Sequence, residues 1–166
     1  LVDYYIECGV SGMTILGIMG EAAKLSGQES AVFAHRVLER VNGRVPVIVG
    51  VTGGGLDNMA ELSRSVMKDG AAGVMVAPMP SLQTDAQQRS YFAQVCKALG
   101  PDVPICLQDY PMTTTVNFSV ETLLAIFRDH PQIVMLKHED WPGLTKLSRM
   151  RAETGNAEIP QISILV

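Results

Sequence analysis

The sequence predicts an α/β fold built on parallel strands, and three observations carry that expectation. Short apolar runs rich in β-branched residues recur along the chain, with strands beginning near 12, 45, 73, 103, 133 and 162. The gaps between these starts are 33, 28, 30, 30 and 29 residues. A parallel strand has to be reached through a crossover, so a βα unit of about 30 residues accounts for the period. The runs are also apolar almost throughout, as expected of strands covered on both faces.

Taken in order, Leu1 to Cys8 reads as the end of a helix closed by Gly9, and Gly12 to Gly17 (GMTILG) as the first strand. Glu21 to Val41 reads as one long helix whose apolar stripe is Leu25, Val32, Phe33, Val37, Leu38 and Val41. Val45 to Gly50 (VPVIVG) is the second strand; Leu56, Met59, Ala60, Ser63 and Met67 mark one face of a helix ending at Gly70. Gly73 to Pro78 (GVMVAP) is the third strand. Tyr91, Phe92, Val95, Cys96 and Leu99 mark the next helix, which Gly100-Pro101 stops. Val103 to Asp109 (VPICLQD) is the fourth strand, and Ser119 suits the N-cap of a helix carrying Val120, Leu123, Leu124 and Phe127. Ile133 to Leu136 is the core of the fifth strand. A helix with Leu144 and Leu147 follows and ends near Gly155, and Ile162 to Val166 (ISILV) is the last strand.

Two architectures accommodate this pattern: a doubly wound open sheet, or an eight-stranded (β/α) barrel of which the chain is a part, since a whole barrel needs roughly 250 residues. The second is preferred. The chain opens in a helix with no strand before it and stops inside an apolar strand, and no G-x-G-x-x-G follows the first strand. The expectation is one (β/α) barrel domain over residues 1–166, incomplete at both ends, with about six βα units.

Composition bounds the function. The chain has 166 residues, 47% of them apolar and 18% charged, and a formal charge of −4, with a pI near 5.3. No basic cluster suggests a nucleic-acid surface. No apolar run approaches the roughly 18–20 residues that span a bilayer, and the first residues do not resemble a signal peptide. Three widely spaced cysteines, Cys8, Cys96 and Cys106, have neither metal-ligand nor disulfide-framework spacing and read as small hydrophobes of a reducing, cytoplasmic protein.

The chemistry centres on Ile133-Val134-Met135-Leu136-Lys137-His138-Glu139-Asp140, an apolar run that ends in a lysine and two acids. Lys137 falls at the C-terminal end of its strand, the edge where α/β folds build sites. A poorly solvated amine there is a better nucleophile and can form an imine with a ketone or aldehyde. The same residues also allow a lysine that caps the strand and snorkels to water. Gly17-Ile18-Met19-Gly20-Glu21 leaves the first strand and is expected to enter a helix. Its N–H groups would suit a carboxylate or phosphate, though most such turns are only turns. Gln108-Asp109-Tyr110-Pro111 ends the fourth strand, facing the same mouth or capping its own turn. His138, Glu139 and Asp140 are not a metal triad, because adjacent strand residues point to opposite faces. His35 and His130 read as structural, and Gly53-Gly54-Gly55 as a flexible turn.

These motifs, in this order, resemble the dihydrodipicolinate synthase/N-acetylneuraminate lyase family of Schiff-base barrels. Gly17–Glu21 stands where that family has G-T-T-G-E, and Pro46–Gly50 where it has P-V-I-x-G. Gly70-Ala71-Ala72-Gly73 with Pro78-Met79-Pro80 answers to G-A-D-G-x-x-x-x-P-Y-Y. Gln108–Pro111 answers to Y-N-x-P, and Ile133–Lys137 to the I-x-G-I-K strand. The resemblance spans essentially the whole chain. It implies a (β/α)8 barrel, an imine between Lys137 and pyruvate or another 2-oxo acid, and a homo-oligomer, by family a tetramer. It implies no cofactor, and a substrate carboxylate held by the Gly17–Gly20 turn (Gly17, Ile18, Met19, Gly20).

The departures carry information. Ile18 and Met19 replace the turn threonines, Gln108 stands where the family places a proton-relaying tyrosine, and Met79 replaces a further tyrosine. The family's hydroxyl relay is therefore absent, which implies an altered aldolase, lyase or dehydratase in preference to dihydrodipicolinate synthesis itself. Tyr110, two residues after Gln108, is the first candidate to move protons, on Lys137's face if the strand persists that far. Gln108 would hold polar atoms of the substrate, and Glu139 is a further substrate-contacting or acid–base candidate. Two other readings stay open: a relative that binds a small oxo acid without turnover, and a doubly wound nucleotide-binding protein.

Overall fold

The computed structural model describes all 166 residues, Leu1–Val166. They form two compact units, Leu1–Met75 and Val76–Val166.

In the first unit, helix α1 (Val2–Glu7) ends at Cys8, and Gly9 takes the left-handed backbone (φ 81°) that releases the chain toward β1. Asp3 on α1 holds both Arg40 and Arg44 of the following helix. Strand β1 (Met13–Ile15) leads into a short 3-10 helix, Ala22–Lys24, and only then into α2 (Gly27–Val41). The long helix predicted from Glu21 is thus broken. Leu25 is extended (φ −96°, ψ 143°), and Ser26 starts α2 with a reciprocal capping box to Glu29.

The predicted stripe is also half displaced. Ser30, Ala34, Leu38 and Val41 form the buried face, while Leu25, Val32 and Phe33 are exposed. With the face through 30, 34, 38 and 41 inward, helical spacing leaves Val32 and Phe33 on the solvent side. Strand β2 (Val47–Gly50) pairs in parallel with β1 (Met13 opposite Val47, Ile15 opposite Val49) and with β3 (Gly73–Val76; Gly50 opposite Met75). Between β2 and β3, α3 (Leu56–Lys68) buries Met59, Ala60, Ser63 and Val66. Val66 takes the place predicted for Met67, because spacings of four and three keep residues 59, 63 and 66 on one side.

The second unit follows its sequence closely. A Thr84–Gln87 capping box starts α4 (Asp85–Leu99), and Tyr91, Phe92, Val95, Cys96 and Leu99 are all buried. Strand β4 (Ile105–Asp109) runs into a single helical turn, α5 (Pro111–Thr114). Proline at its first position pre-sets φ and needs no N–H there. Ser119 caps α6 (Val120–Asp129), its hydroxyl accepting the N–H of Thr122 at 3.1 Å. Strand β5 (Ile133–His138) is followed by α7 (Leu144–Glu153) and β6 (Ser163–Leu165). On α7 the buried residue is Met150 (1% exposed), not Leu144 (78%). Phe92, Phe127, Ile133 and Leu136 lie fully inside, each contributing about 1.5–3 kcal/mol of apolar burial.

All the strands pair in parallel, β4 with β5 and β5 with β6 as well, and each begins within two residues of its predicted start. A doubly wound sheet reverses strand order at a switch point; within each unit the order is chain order. No helix is long and apolar enough to cross a membrane.

Candidate active site

The register of β4 and β5 sets the site. A one-residue irregularity between Ile105 and Cys106 brings Gln108 opposite Lys137 and Asp109 opposite His138. Side chains alternate along a strand, so Gln108 and Lys137 share one face while Asp109 and His138 share the other. The ladder continues one step past β5: the N–H of Glu139 donates to the Asp109 carbonyl at 2.8 Å. Glu139 thereby returns to the face of Lys137.

On that face three side chains are joined. The Lys137 ammonium forms an ion pair with one oxygen of Glu139, and Gln108 Nε2 donates to the other at 2.7 Å. Gln108 is 2% exposed, and the Lys137 and Glu139 side chains are 17% and 20% exposed. The amine is accessible to a small molecule but shielded on most sides, and a carboxylate touches it. Cys106, one alternation deeper on the same face, has its thiol pushed up to about 12 by burial, against an opposing effect from the Lys137 backbone.

The strand does not persist to Tyr110. It ends at Asp109, and Tyr110 (φ −134°, ψ 73°) is the N-cap of α5. Its carbonyl accepts the N–H groups of Thr113 and Thr114 at 3.1 and 3.0 Å. The condition under which alternation would have set Tyr110 beside Lys137 is not met.

The opposite face carries a cluster that the sequence reading missed. Asp109, fully buried, receives Lys146 Nζ at 2.9 Å and lies 3.1 Å from His138 Nδ1. Lys146 also pairs with Asp140 at 2.6 Å. Asp109 Oδ1 and His138 Nε2 are buried without a partner. Lys146 stands in the first turn of α7, where the helix dipole disfavours a cation; the carboxylates of Asp109 and Asp140 offset that. A lysine at that position was the one signal in the sequence for an acidic partner behind it.

In the first unit the Gly17–Gly20 turn is built differently from expectation. Leu16, 5% exposed, sits at φ 52°, a conformation that costs a branched residue roughly 1–3 kcal/mol and persists only when its surroundings impose it. They do so here, because β2 passes so close that a Cβ on Gly50 would overlap the Leu16 carbonyl. The turn closes on itself, with Gly20 and Ala22 N–H donating to the Gly17 carbonyl at 3.1 and 3.4 Å and Glu21 N–H to that of Ile18 at 3.0 Å. It does not open directly onto an α-helix N-terminus; α2 begins later, behind its own Ser26 cap.

Parallel βα units with a shielded lysine at the C-terminal end of a strand place the chain among the (β/α) barrels. Within that class the chain belongs to the dihydrodipicolinate synthetase family, which matches residues 1–157. The crystal structure of dihydrodipicolinate synthase from Rhodopseudomonas palustris is similar with a TM-score of 0.94 and 46% identity, over 99% of this chain and 54% of that one. A 4-hydroxy-tetrahydrodipicolinate synthase of Sorangium cellulosum is 37% identical over 82% of this chain and 45% of its own length. A prophage protein of the dihydrodipicolinic acid synthase family from E. coli, solved in complex with pyruvate, is 28% identical with a TM-score of 0.75, over 82% of this chain and 46% of that one. The fold is an incomplete (β/α)8 barrel of six parallel strands with alternating helices. The chain spans about half the length of the curated relatives it matches.

Proposed function

We propose that the protein is a Schiff-base-forming lyase or aldolase, or a dehydratase, acting on pyruvate or another 2-oxo acid. The observation that carries this reading is the Lys137 amine, shielded at the end of β5 and paired with Glu139. The relative that binds pyruvate supports the substrate class. Lys137 would form the imine with the 2-oxo carbon, and the protein would need no cofactor, because the iminium itself draws electrons from the neighbouring bonds. The Gly17–Gly20 turn would hold the substrate carboxylate. Inside the turn the N–H groups of Gly20, Glu21 and Ala22 are engaged, so the donors for a carboxylate would be those of Ile18 and Met19. Gln108 lines the reacting face. Two groups compete to carry the proton, Tyr110 at the strand exit and Glu139 against the amine.

The reading extends to a single barrel domain over residues 1–166, a homo-oligomer in the intact protein, and a cytoplasmic setting that suits the free thiols of Cys8, Cys96 and Cys106. A second reading, binding without turnover, is favoured by Ile18, Met19 and Gln108, which stand where the motif pattern the chain resembles would carry hydroxyls.

Turnover of a panel of 2-oxo acids by the intact protein tests the proposal. Lys137→Ala and Lys137→Arg should both abolish it, since arginine keeps the charge but cannot form the imine. Retained turnover in Lys137→Arg would show that the lysine acts only through its charge. A wild type that binds 2-oxo acids without converting any of them would establish the second reading.

A further inference from the structure

We propose that Glu139, oriented by Gln108, is the group that moves protons at the reacting carbon, in place of a tyrosine hydroxyl; this rests on Lys137 being the imine-forming lysine. The geometry is specific. One carboxylate oxygen of Glu139 lies on the Lys137 ammonium, and the other is fixed by Gln108 Nε2 at 2.7 Å. Gln108 is itself buried and held opposite Lys137 by the strand register. The backbone of Glu139 is anchored by its N–H to the Asp109 carbonyl. That carbonyl belongs to the residue whose side chain is clamped by Lys146 and His138 on the far face. The carboxylate is thus oriented from both sides. Tyr110 has left the strand and has no such constraint.

The chemistry closes without another group. An ammonium must lose a proton before it can attack, and Glu139 is in contact to take it. The neutral amine adds to C2 of the oxo acid. The carbonyl oxygen then leaves as water, carrying two protons that came from the ammonium and were relayed by the carboxylate. The product is an iminium that keeps the positive charge, with Glu139 again a carboxylate. Glu139 then removes a proton from C3, whose bonding pair becomes the C2–C3 double bond of a neutral enamine. Once Lys137 is an iminium, two of the three ammonium protons have left in water and a single N–H remains, which loosens the hold on that carboxylate oxygen when C3 is to be deprotonated. Gln108 is a positioning residue in this scheme: its N–H holds the second oxygen and keeps the first aimed at the lysine.

Exchange of the C3 protons in D2O, followed by proton NMR, reads the proton step, and borohydride trapping run in parallel reads the imine. The probe is pyruvate or, of pyruvate, 2-oxobutyrate and 2-oxoglutarate, whichever traps fastest on the intact wild type. Glu139→Gln keeps the shape of the side chain. It should still trap at long incubation while C3 exchange falls roughly 100-fold or more, the usual weight of a positioned acid–base group. Gln108→Leu should lower exchange by a larger factor than it lowers the rate of trapping. Glu139→Ala should regain exchange on addition of formate, an external carboxylate that fits the space vacated. Exchange within a few-fold of wild type in Glu139→Gln overturns the proposal, as does a loss of exchange confined to Tyr110→Phe or a failure of formate to restore Glu139→Ala. A wild type that traps none of the three probes fails at the imine instead, and that outcome removes the reading of Lys137 and this inference together.

Discussion

A carboxylate two residues after a lysine reaches back to it only if the backbone stays extended through both, and the Glu139 N–H to Asp109 carbonyl hydrogen bond is what keeps it so. Gly143 guards the same stretch from the other side. A Cβ there would overlap His138 Nε2 and lie 2.6 Å from the Asp140 carbonyl. Gly143→Ala should therefore cost several degrees of melting temperature and reduce imine formation along with it, measured by thermal unfolding and trapping on one preparation; a variant as stable and as reactive as wild type would mean the loop yields freely. The buried thiols give a pH test. Cys96 and Cys106 are raised from 9.0 to about 12 by burial. From about pH 9 upward the unfolded chain loses these protons and the folded chain keeps them. Their contribution to stability is complete below pH 9 and is lost as pH rises toward 12. In native protein at pH 8, iodoacetamide should modify exposed Cys8 and spare Cys96 and Cys106, as mass mapping would show; equal labelling of all three would contradict the burial. At this scale the lysine was legible, because an apolar run ending in a charge is visible in one dimension. Asp109, His138 and Lys146 were not, because their meeting depends on the β4–β5 register and on where α7 begins.

At the scale of elements, boundaries depended on caps more than on apolar stripes. Ser26 and Glu29 form a capping box, and that pattern was present in the sequence. The apolar residues Leu25, Val32 and Phe33 suggested a longer helix and a different face, and the helix follows the cap. Ser26→Ala should destabilise the protein by about 1 kcal/mol, read as a lower denaturation midpoint with unchanged slope, whereas Phe33→Ser on the exposed side should change it little. If the two substitutions cost the same, the cap does not define the start of α2. The core faces of α4 and α6 were legible because their apolar residues are bulky and nearly all buried. On α2 the buried face is made partly of Ser30 and Ala34, which carry almost no hydrophobic signal. The turn at Pro111–Thr114 was hidden for a related reason: it is four residues long, and local backbone geometry sets it rather than periodicity.

At the scale of the molecule, the repeat of about 30 residues carried the architecture. A parallel strand requires a crossover of fixed minimum length, so the period survives changes in individual residues. The fold that results is similar, with a TM-score of 0.94, to that of a family member 46% identical to the chain. On that fold Gln108 and Glu139 form a carboxylate–amide pair beside the Lys137 amine, the pair on which the proposed proton chemistry rests. The central claim is that Lys137 bonds covalently to a 2-oxo acid. Its most direct test is borohydride reduction of the intact protein with pyruvate, followed by peptide mass mapping. A reduced pyruvyl adduct should appear on the peptide carrying Lys137, be abolished in Lys137→Arg, and form more slowly in Glu139→Gln. An adduct on any other lysine, or equal adduct in Lys137→Arg, would contradict it.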